Sequence, residues 1–272
     1  MQFVGDPFTF GFSQLGSNCG CAGSHAAVDV NGLAFWMGVE AFYVFDGTVK
    51  KMPCTVQDYV FDDINLDQKE KFFVGLNSQF NELTWWYCSS GEDQINRSVT
   101  YNYLENVWHI NSSIHRTTWI DVGAYNNPIA LEFFPNSNAT YTISTINGLT
   151  QGRSLVYTHE EGTEANGSAM SCFLQSAYFD IAEGDEVMFM RRFVPDFKDQ
   201  VGNINVNLFL RSYPETTATN SSLDPYIVTP TTDKIDTRAR GRQLSLKLQS
   251  SSAGSTWRYG TLRVDIQPDG RR

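Results

Sequence analysis

Between Ala26 and Met52 the chain places four short apolar runs, at 26–30, 33–39, 42–45 and 48–52, broken by Asn31-Gly32, Gly38 and Asp46-Gly47. Asn-Gly and Asp-Gly are strong hairpin signals because both central residues tolerate positive φ. Runs this short suit strands better than helices, and turns this tight join antiparallel neighbours. The segment therefore predicts a four-stranded meander, the size of one propeller blade.

The pattern then repeats. A polar stretch at 55–71 follows, in which Val56-Gln-Asp-Tyr-Val-Phe61 reads as a helical turn. Runs at 71–76, 82–88, 98–103 and 107–110 predict a second set of four strands, and runs at 116–122, 128–134, 141–146 and 153–159 a third. The spacing of about 40–50 residues lies in the propeller range. Past residue 160 the rhythm changes. A polar loop spans 160–167, strands are expected at 176–181 and 186–193 around the turn Ala182-Glu-Gly-Asp185, and 203–213 puts Ile204, Val206, Leu208 and Leu210 on one face. A Thr/Ser/Asn/Pro-rich loop covers 214–234. The expected organisation is an irregular lead-in at 1–24, propeller-like blades at 25–160, and a C-terminal β region at 161–272. That last region is either further blades or a small sandwich, and it ends in a basic hairpin. The fold class is all-β: a complete or partial β-propeller of short four-stranded antiparallel blades, with very little helix. Composition supports a packed core, with 41% hydrophobic, 14% aromatic and only 18% charged residues, which argues against disorder.

The basic hairpin is expected from Arg238-Ala-Arg240-Gly-Arg242-Gln-Leu244-Ser-Leu246-Lys-Leu248, a Ser/Gly gap, and Trp257-Arg-Tyr259-Gly-Thr-Leu262-Arg-Val264-Asp-Ile266. Arg238, Arg240 and Arg242 share parity with the three leucines. In one flat strand they would occupy the core face, so either they run beyond the core or Gly241 marks a bulge that re-aims them. Residues 234–272 carry nine Lys/Arg and three Asp/Glu, a formal +6, whereas 1–233 carry 11 and 27, a formal −16. Three arginines projecting together call for carboxylates, within the chain or on an adjacent subunit, or for phosphates. Arg238, Arg240, Arg242, Arg258 and Arg263 are the candidate interface cations. Trp86, of opposite parity to Trp85, is the candidate exposed or interface aromatic. The acidic remainder is a poor sequence-independent nucleic-acid binder.

Enzyme signatures are absent: no Gly-X-Ser-X-Gly elbow, His-Glu-X-X-His, P-loop or dinucleotide fingerprint. Cys19, Cys21 and His25, with Cys54, offer metal-binding atoms at a spacing that matches no common finger, so free thiols are expected for the five cysteines. Asp63-Ile-Asn65-Leu-Asp67 resembles the first half of a calcium loop, but Gln68 and Val74 stand at the sixth and twelfth positions, which excludes an EF-hand. Glu160/Glu161 and Asp185/Glu186 sit at turns and read as surface charge rather than a glycosidase pair. Trp36, Trp85, Trp108, Trp119 and Trp257 fit apolar strand faces. No cofactor and no catalytic residues are assigned. The start lacks the basic and apolar regions of a secretion signal and no 18-residue apolar run occurs, so a soluble, cytosol-made protein without membrane insertion is expected.

Several segments carry a resemblance: Val194-Pro-Asp-Phe197, Arg211-Ser-Tyr-Pro214, Arg238-Ala-Arg-Gly-Arg242, Trp257-Arg-Tyr-Gly260, the ending Asp265-Ile-Gln-Pro-Asp-Gly-Arg-Arg272, and Tyr101-Asn-Tyr-Leu-Glu-Asn-Val-Trp108. In these the chain resembles the tail nozzle, hub or packaged-DNA-stabilisation proteins of short-tailed bacteriophages, from about Ser24 onward and more specifically after residue 170. The resemblance implies a non-enzymatic structural protein of the virion tail, assembled in the host cytoplasm. It implies a propeller-bearing homo-oligomeric ring, a hexamer in such families, that continues the DNA exit channel below portal and adaptor. Partners would be the tail adaptor, fibre or spike proteins, and genomic DNA passing through the lumen without specific binding. Family members are usually longer, so the chain is either a shortened relative or part of a larger assembly supplied elsewhere. The alternative is a carbohydrate-binding or glycan-degrading propeller, which requires exposed tryptophans and convergent carboxylates.

Overall fold

The computed structural model describes residues 2–112, 115–134, 145–146, 149–150, 153–222 and 224–270. Strands make up 48% of the protein and helix 5%, which settles the all-β class. Among the described residues no sheet closes into a barrel, and no helix is long and apolar enough to cross a membrane. The chain divides into two compact units, Met1–Glu161 and Gly162–Arg272.

The first unit begins with a short antiparallel pair, β1 (Gln2–Phe3) and β2 (Phe10–Gly11), inside the stretch expected to be irregular. Then comes the first meander: β3 (Ala27–Val30), β4 (Leu33–Met37), β5 (Phe42–Phe45) and β6 (Val49–Lys51), hydrogen-bonded in that order. Asn31 and Gly32 take φ of 54° and 80°, so the predicted Asn-Gly turn has the left-handed pair it requires. A single helical turn, α1 (Gln57–Phe61), and a 3-10 segment (Leu66–Lys71) lead into the second meander. Its strands are β7 (Phe73–Asn77), β8 (Glu82–Tyr87), β9 (Arg97–Asn102) and β10 (Val107–Asn111), again in sequence order.

The third set differs from expectation. β11 (Thr118–Ile120) and β12 (Ile129–Phe134) are followed by a separate two-stranded piece, β13 (Thr145–Ile146) with β14 (Leu149–Thr150). β12 pairs directly with β15 (Arg153–Thr158), giving a three-stranded sheet β11-β12-β15. Residues 141–144 of the expected third strand lie outside the described residues.

The first strands of the three sheets are neighbours. His25, just before β3, bridges Phe73 of β7 in parallel, and the Val74 amide donates to the His25 carbonyl at 3.0 Å. Trp119 of β11 lies over Gly75 of β7, where a Cβ would meet its indole at 2.6 Å, and Trp119 Nε1 donates to the Leu76 carbonyl at 2.8 Å. One aromatic core runs through the unit: Phe42, Trp85, Trp108 and Tyr101 interlock, with Phe42–Trp85 and Phe42–Trp108 ring centroids 4.9 and 4.7 Å apart.

The second unit opens with the hairpin β16 (Glu164–Ala165) and β17 (Ser168–Ala169), then β18 (Cys172–Gln175). The expected strand at 176–181 is corrected. β18 precedes it, and 176–181 contributes only an isolated bridge, Phe179 to Leu244. β19 (Met188–Val194), β20 (Phe197–Val201) and β21 (Ile204–Arg211) follow, then β22 (Thr219–Asn220), β23 (Tyr226–Val228), β24 (Ile235–Gly241), β25 (Gln243–Ser250), β26 (Thr256–Tyr259) and β27 (Arg263–Pro268). One sheet is β18-β25-β21-β22, with β23 also on β21. A second is β24-β19-β27, and β20 pairs with β26. Both larger sheets feed one core, in which Met188, Met190 and Phe193 meet Ile204, Val206, Leu208, Leu244, Leu246 and Leu248. Face-to-face sheets with alternating inward residues are the sandwich solution.

The expected C-terminal hairpin is also corrected. β25 pairs with β21 and β18, β26 with β20, and β27 with β19, so β25 and β26 are not partners. The two halves of the basic segment are separated into different sheets: β25 lies against the eight-residue apolar strand β21, while β26 and β27 lie on β20 and β19.

Candidate functional site

Parity around the arginines resolves at Gly241. In β24, Ile235, Thr237 and Ala239 are buried while Asp236, Arg238 and Arg240 are exposed; in β25, Leu244, Leu246 and Leu248 are buried. The chain crosses here from one sheet of the sandwich to the other. Each sheet views the core from the opposite side, so the parity that pointed to solvent in β24 points inward in β25. Gly241 permits the crossing: a Cβ there would stand 3.2 Å from Leu210 Cβ and 3.5 Å from the Arg211 carbonyl.

Most of these cations already have partners within the second unit. Arg240 Nε lies 2.7 Å from Asp269 Oδ2, Arg263 Nε 3.3 Å from Asp196 Oδ2, and Arg258 Nη1 3.7 Å from Asp199 Oδ2. Arg242 Nη1 donates to the carbonyls of Gly184 and Asp185 at 3.0 and 2.7 Å. Arg238 projects from the exposed face of β24 with no hydrogen bond or ion pair among the described residues. Exposed pairs of this kind add little stability, so they set surface pattern more than energy.

The segments that carried the family resemblance meet in pairs. Phe197 is registered against Tyr259, the Gly260 amide donates to the Asp196 carbonyl at 2.8 Å, and a Cβ on Gly260 would strike the Asp196 carboxylate. Arg211 Nη1 donates to the Pro214 carbonyl at 2.6 Å and stacks over Tyr178, while the Arg242 guanidinium stands 5.7 Å from the Tyr213 ring. They are structural ties in this unit, and none assembles a nucleophile with a base.

Trp86 is not exposed, and that expectation is corrected. It is 4% exposed, stacked on Phe73 at 4.7 Å and 5.5 Å from Trp119. The second meander is covered on both faces: Trp85 faces Phe42 of the first sheet, and Trp86 faces Trp119 of the third. Opposite parity therefore leads to a second buried face. The Trp86 Nε1 has no hydrogen-bond partner among the described residues.

An open cleft of about 940 Å³ lies where the first strands of the three sheets begin. His25, Lys71, Gln94, Thr117 and Trp119 are on its walls, and Trp119 is the aromatic among the six tryptophans that reaches it. Elsewhere in this unit Arg116, 8% exposed, donates from Nε to His159 Nε2 at 2.8 Å, reaches Glu132 Oε2 at 3.3 Å and stacks over Tyr157. Burial, then the Arg116 charge, push His159 down to about 4.

Sequence reasoning missed one carboxylate pair. Asn77 Nδ2 donates to Glu160 Oε1 at 2.9 Å, and Asn77 is registered opposite Glu82. Burial raises both carboxyls, and for Glu82 the Glu160 charge adds to the shift. Of the adjacent pairs considered from sequence, the Glu160 carboxylate turns to Asn77, and the Asp185 main-chain carbonyl accepts from Arg242. Asn65 caps the 3-10 segment by accepting from the Asp67 amide, and Asp63 pairs with Arg97 at 3.4 Å, so the calcium-like segment is a structural turn. All five cysteines are free thiols. Cys21 Sγ contacts the Gly23 carbonyl, and no group of three His, Cys, Asp or Glu side chains converges on a metal position among the described residues.

The N-terminal segment was passed over as lead-in. Phe3, Phe8, Phe10, Phe12 and Leu15 are all exposed, Phe8 and Phe12 by 74% and 80%. The available signal was Phe8-Thr-Phe10-Gly-Phe12, a short period-two apolar repeat. In comparisons with known proteins, no family model matches the chain and no curated relative matches it.

Proposed function

We propose that this protein is a structural, non-enzymatic subunit of a short-tailed phage tail, of the nozzle or hub kind, assembling as a ring around the DNA exit path. The resemblance, carried by Tyr101–Trp108 and the segments within 194–272, supports this family reading. The observation that carries the assembly role is the N-terminal segment, which leaves Phe3, Val4, Phe8, Phe10, Phe12 and Leu15, six large apolar side chains, exposed. Patches of that kind mark interaction surfaces. The neighbouring first strands of three successive sheets suit a propeller arrangement, complete or partial, around the axis of such a subunit. Strand ladders would resist internal pressure, and the formal −10 charge would keep passing DNA from sticking.

Light scattering at low and high salt tests the proposal. A closed oligomer that loosens as salt rises is expected, since Arg238, exposed on β24, would face a carboxylate across the subunit boundary. A salt-indifferent monomer, or tight and salt-sensitive DNA binding, overturns it.

A second reading is favoured by the cleft. A polar cavity with Trp119 on its wall suits a sugar ring stacked on an indole. Glycan-array binding that vanishes in Trp119→Ala would establish that reading, and an inert array would end it.

A further inference from the structure

The sandwich of the second unit is open along one edge. Among the described residues β18 is the terminal strand of its sheet and pairs only with β25, so its other side presents backbone groups without a strand partner there. Leu174 of β18 is registered opposite Leu248, on the core face. Beneath this edge lies an apolar pocket of about 190 Å³, walled by Leu174, Leu246, Leu248, Tyr259 and Leu262. Leu174 and Leu262 are exposed at its mouth, and the buried Tyr259 hydroxyl has no hydrogen-bond partner among the described residues.

The same chain carries an exposed apolar segment of matching chemistry, in which β2 is hydrogen-bonded to β1 alone among the described residues, so that its other edge is open. In an extended strand Phe8, Phe10 and Phe12 stand on one face about 7 Å apart. Asp6 is the single charged residue in 2–16. An engineered cavity of about 150 Å³ accepts benzene, so the pocket has room for one phenyl ring.

We propose that the N-terminal arm of a second copy of this chain adds as a strand beside β18, seats Phe10 in the pocket, and covers Leu174 and Leu262 with Phe8 and Phe12. This is strand addition, in which backbone bonds supply affinity and alternate side chains supply specificity. Each chain has one arm and one groove, so the contact is head-to-tail. Such contacts close into a ring when the rotation allows, and otherwise continue as a filament. The inference rests on the ring reading above and specifies which surfaces build it.

The test is the mass in solution of three proteins: the full chain, a chain lacking 2–16, and the full chain carrying Leu174→Glu, with thermal melts to show that each is folded. The full chain is expected to be an oligomer and both variants monomers. Mixed together, the two variants are expected to form a one-to-one pair, because one brings the groove and the other the arm. Leu262→Glu replaces Leu174→Glu should the latter fail to fold. Arm exchange is overturned by either variant keeping the full-chain mass, or by a mixture that stays monomeric. An oligomer that survives both variants yet loosens in salt would leave the ring reading intact and end this one, whereas a monomeric full chain would end both.

Discussion

His159 receives a hydrogen bond from Arg116 on its Nε2, a geometry open only to the neutral ring. The unfolded histidine takes up its proton near pH 6.5, the folded one near 4. Between those values the unfolded state holds more protons, so this group removes stability as pH falls. Glu82 and Glu160, held above the usual carboxylate range by burial, oppose that slope, since the folded state binds their protons more tightly. The expected outcome is that His159→Gln flattens the acid limb between pH 6.5 and 4 by about 1–3 kcal/mol, read by urea melts across that range. An unchanged limb would remove His159 from the account. No motif marks this network: its members come from 115–160, and only the pairing of β12 with β15 and the preceding turns bring them together.

At the scale of elements, the two meanders of the first unit were legible because their turns are local. Asn31-Gly32 and Asp46-Gly47 encode their own backbone geometry, and period-two apolar runs fix the inward face. The β24–β25 crossing was not legible as such. The sequence showed a parity conflict at Arg238–Leu248 but not its solution, because that solution needs a second sheet opposite the first. Gly241→Val should destabilise the second unit by about 1–3 kcal/mol through overlap with Leu210, measured by chemical denaturation. Gly254→Ala is a weaker control, because there only the left-handed φ of 72° is strained and no neighbour is struck. Equal costs would mean that the crossing is not sterically tight.

Over the whole molecule, two hydrophobic clusters lie on either side of the 161/162 boundary. Residues 161–171 are exposed throughout, with Glu161 and Glu164 among them. A glutamate-specific protease in limiting amount is expected to cut there first, leaving two fragments near residues 1–161 and 162–272. Early cleavage at Glu82 or Glu132 would instead show that the first unit opens before the connecting segment is cut.

The sequence by itself determined the all-β class, both four-stranded meanders, the inward face of Ile204–Arg211 and the burial of Trp85. Each follows from the two-residue period of a strand or from turn residues that act on their own backbone. Only the tertiary structure decided that Trp86 is buried, that the basic segment divides between two sheets, and that Glu160 faces Asn77 beside Glu82. Those outcomes depend on which sheet covers which face. A strand's alternation names two faces, but it cannot say whether water or another sheet lies against the second.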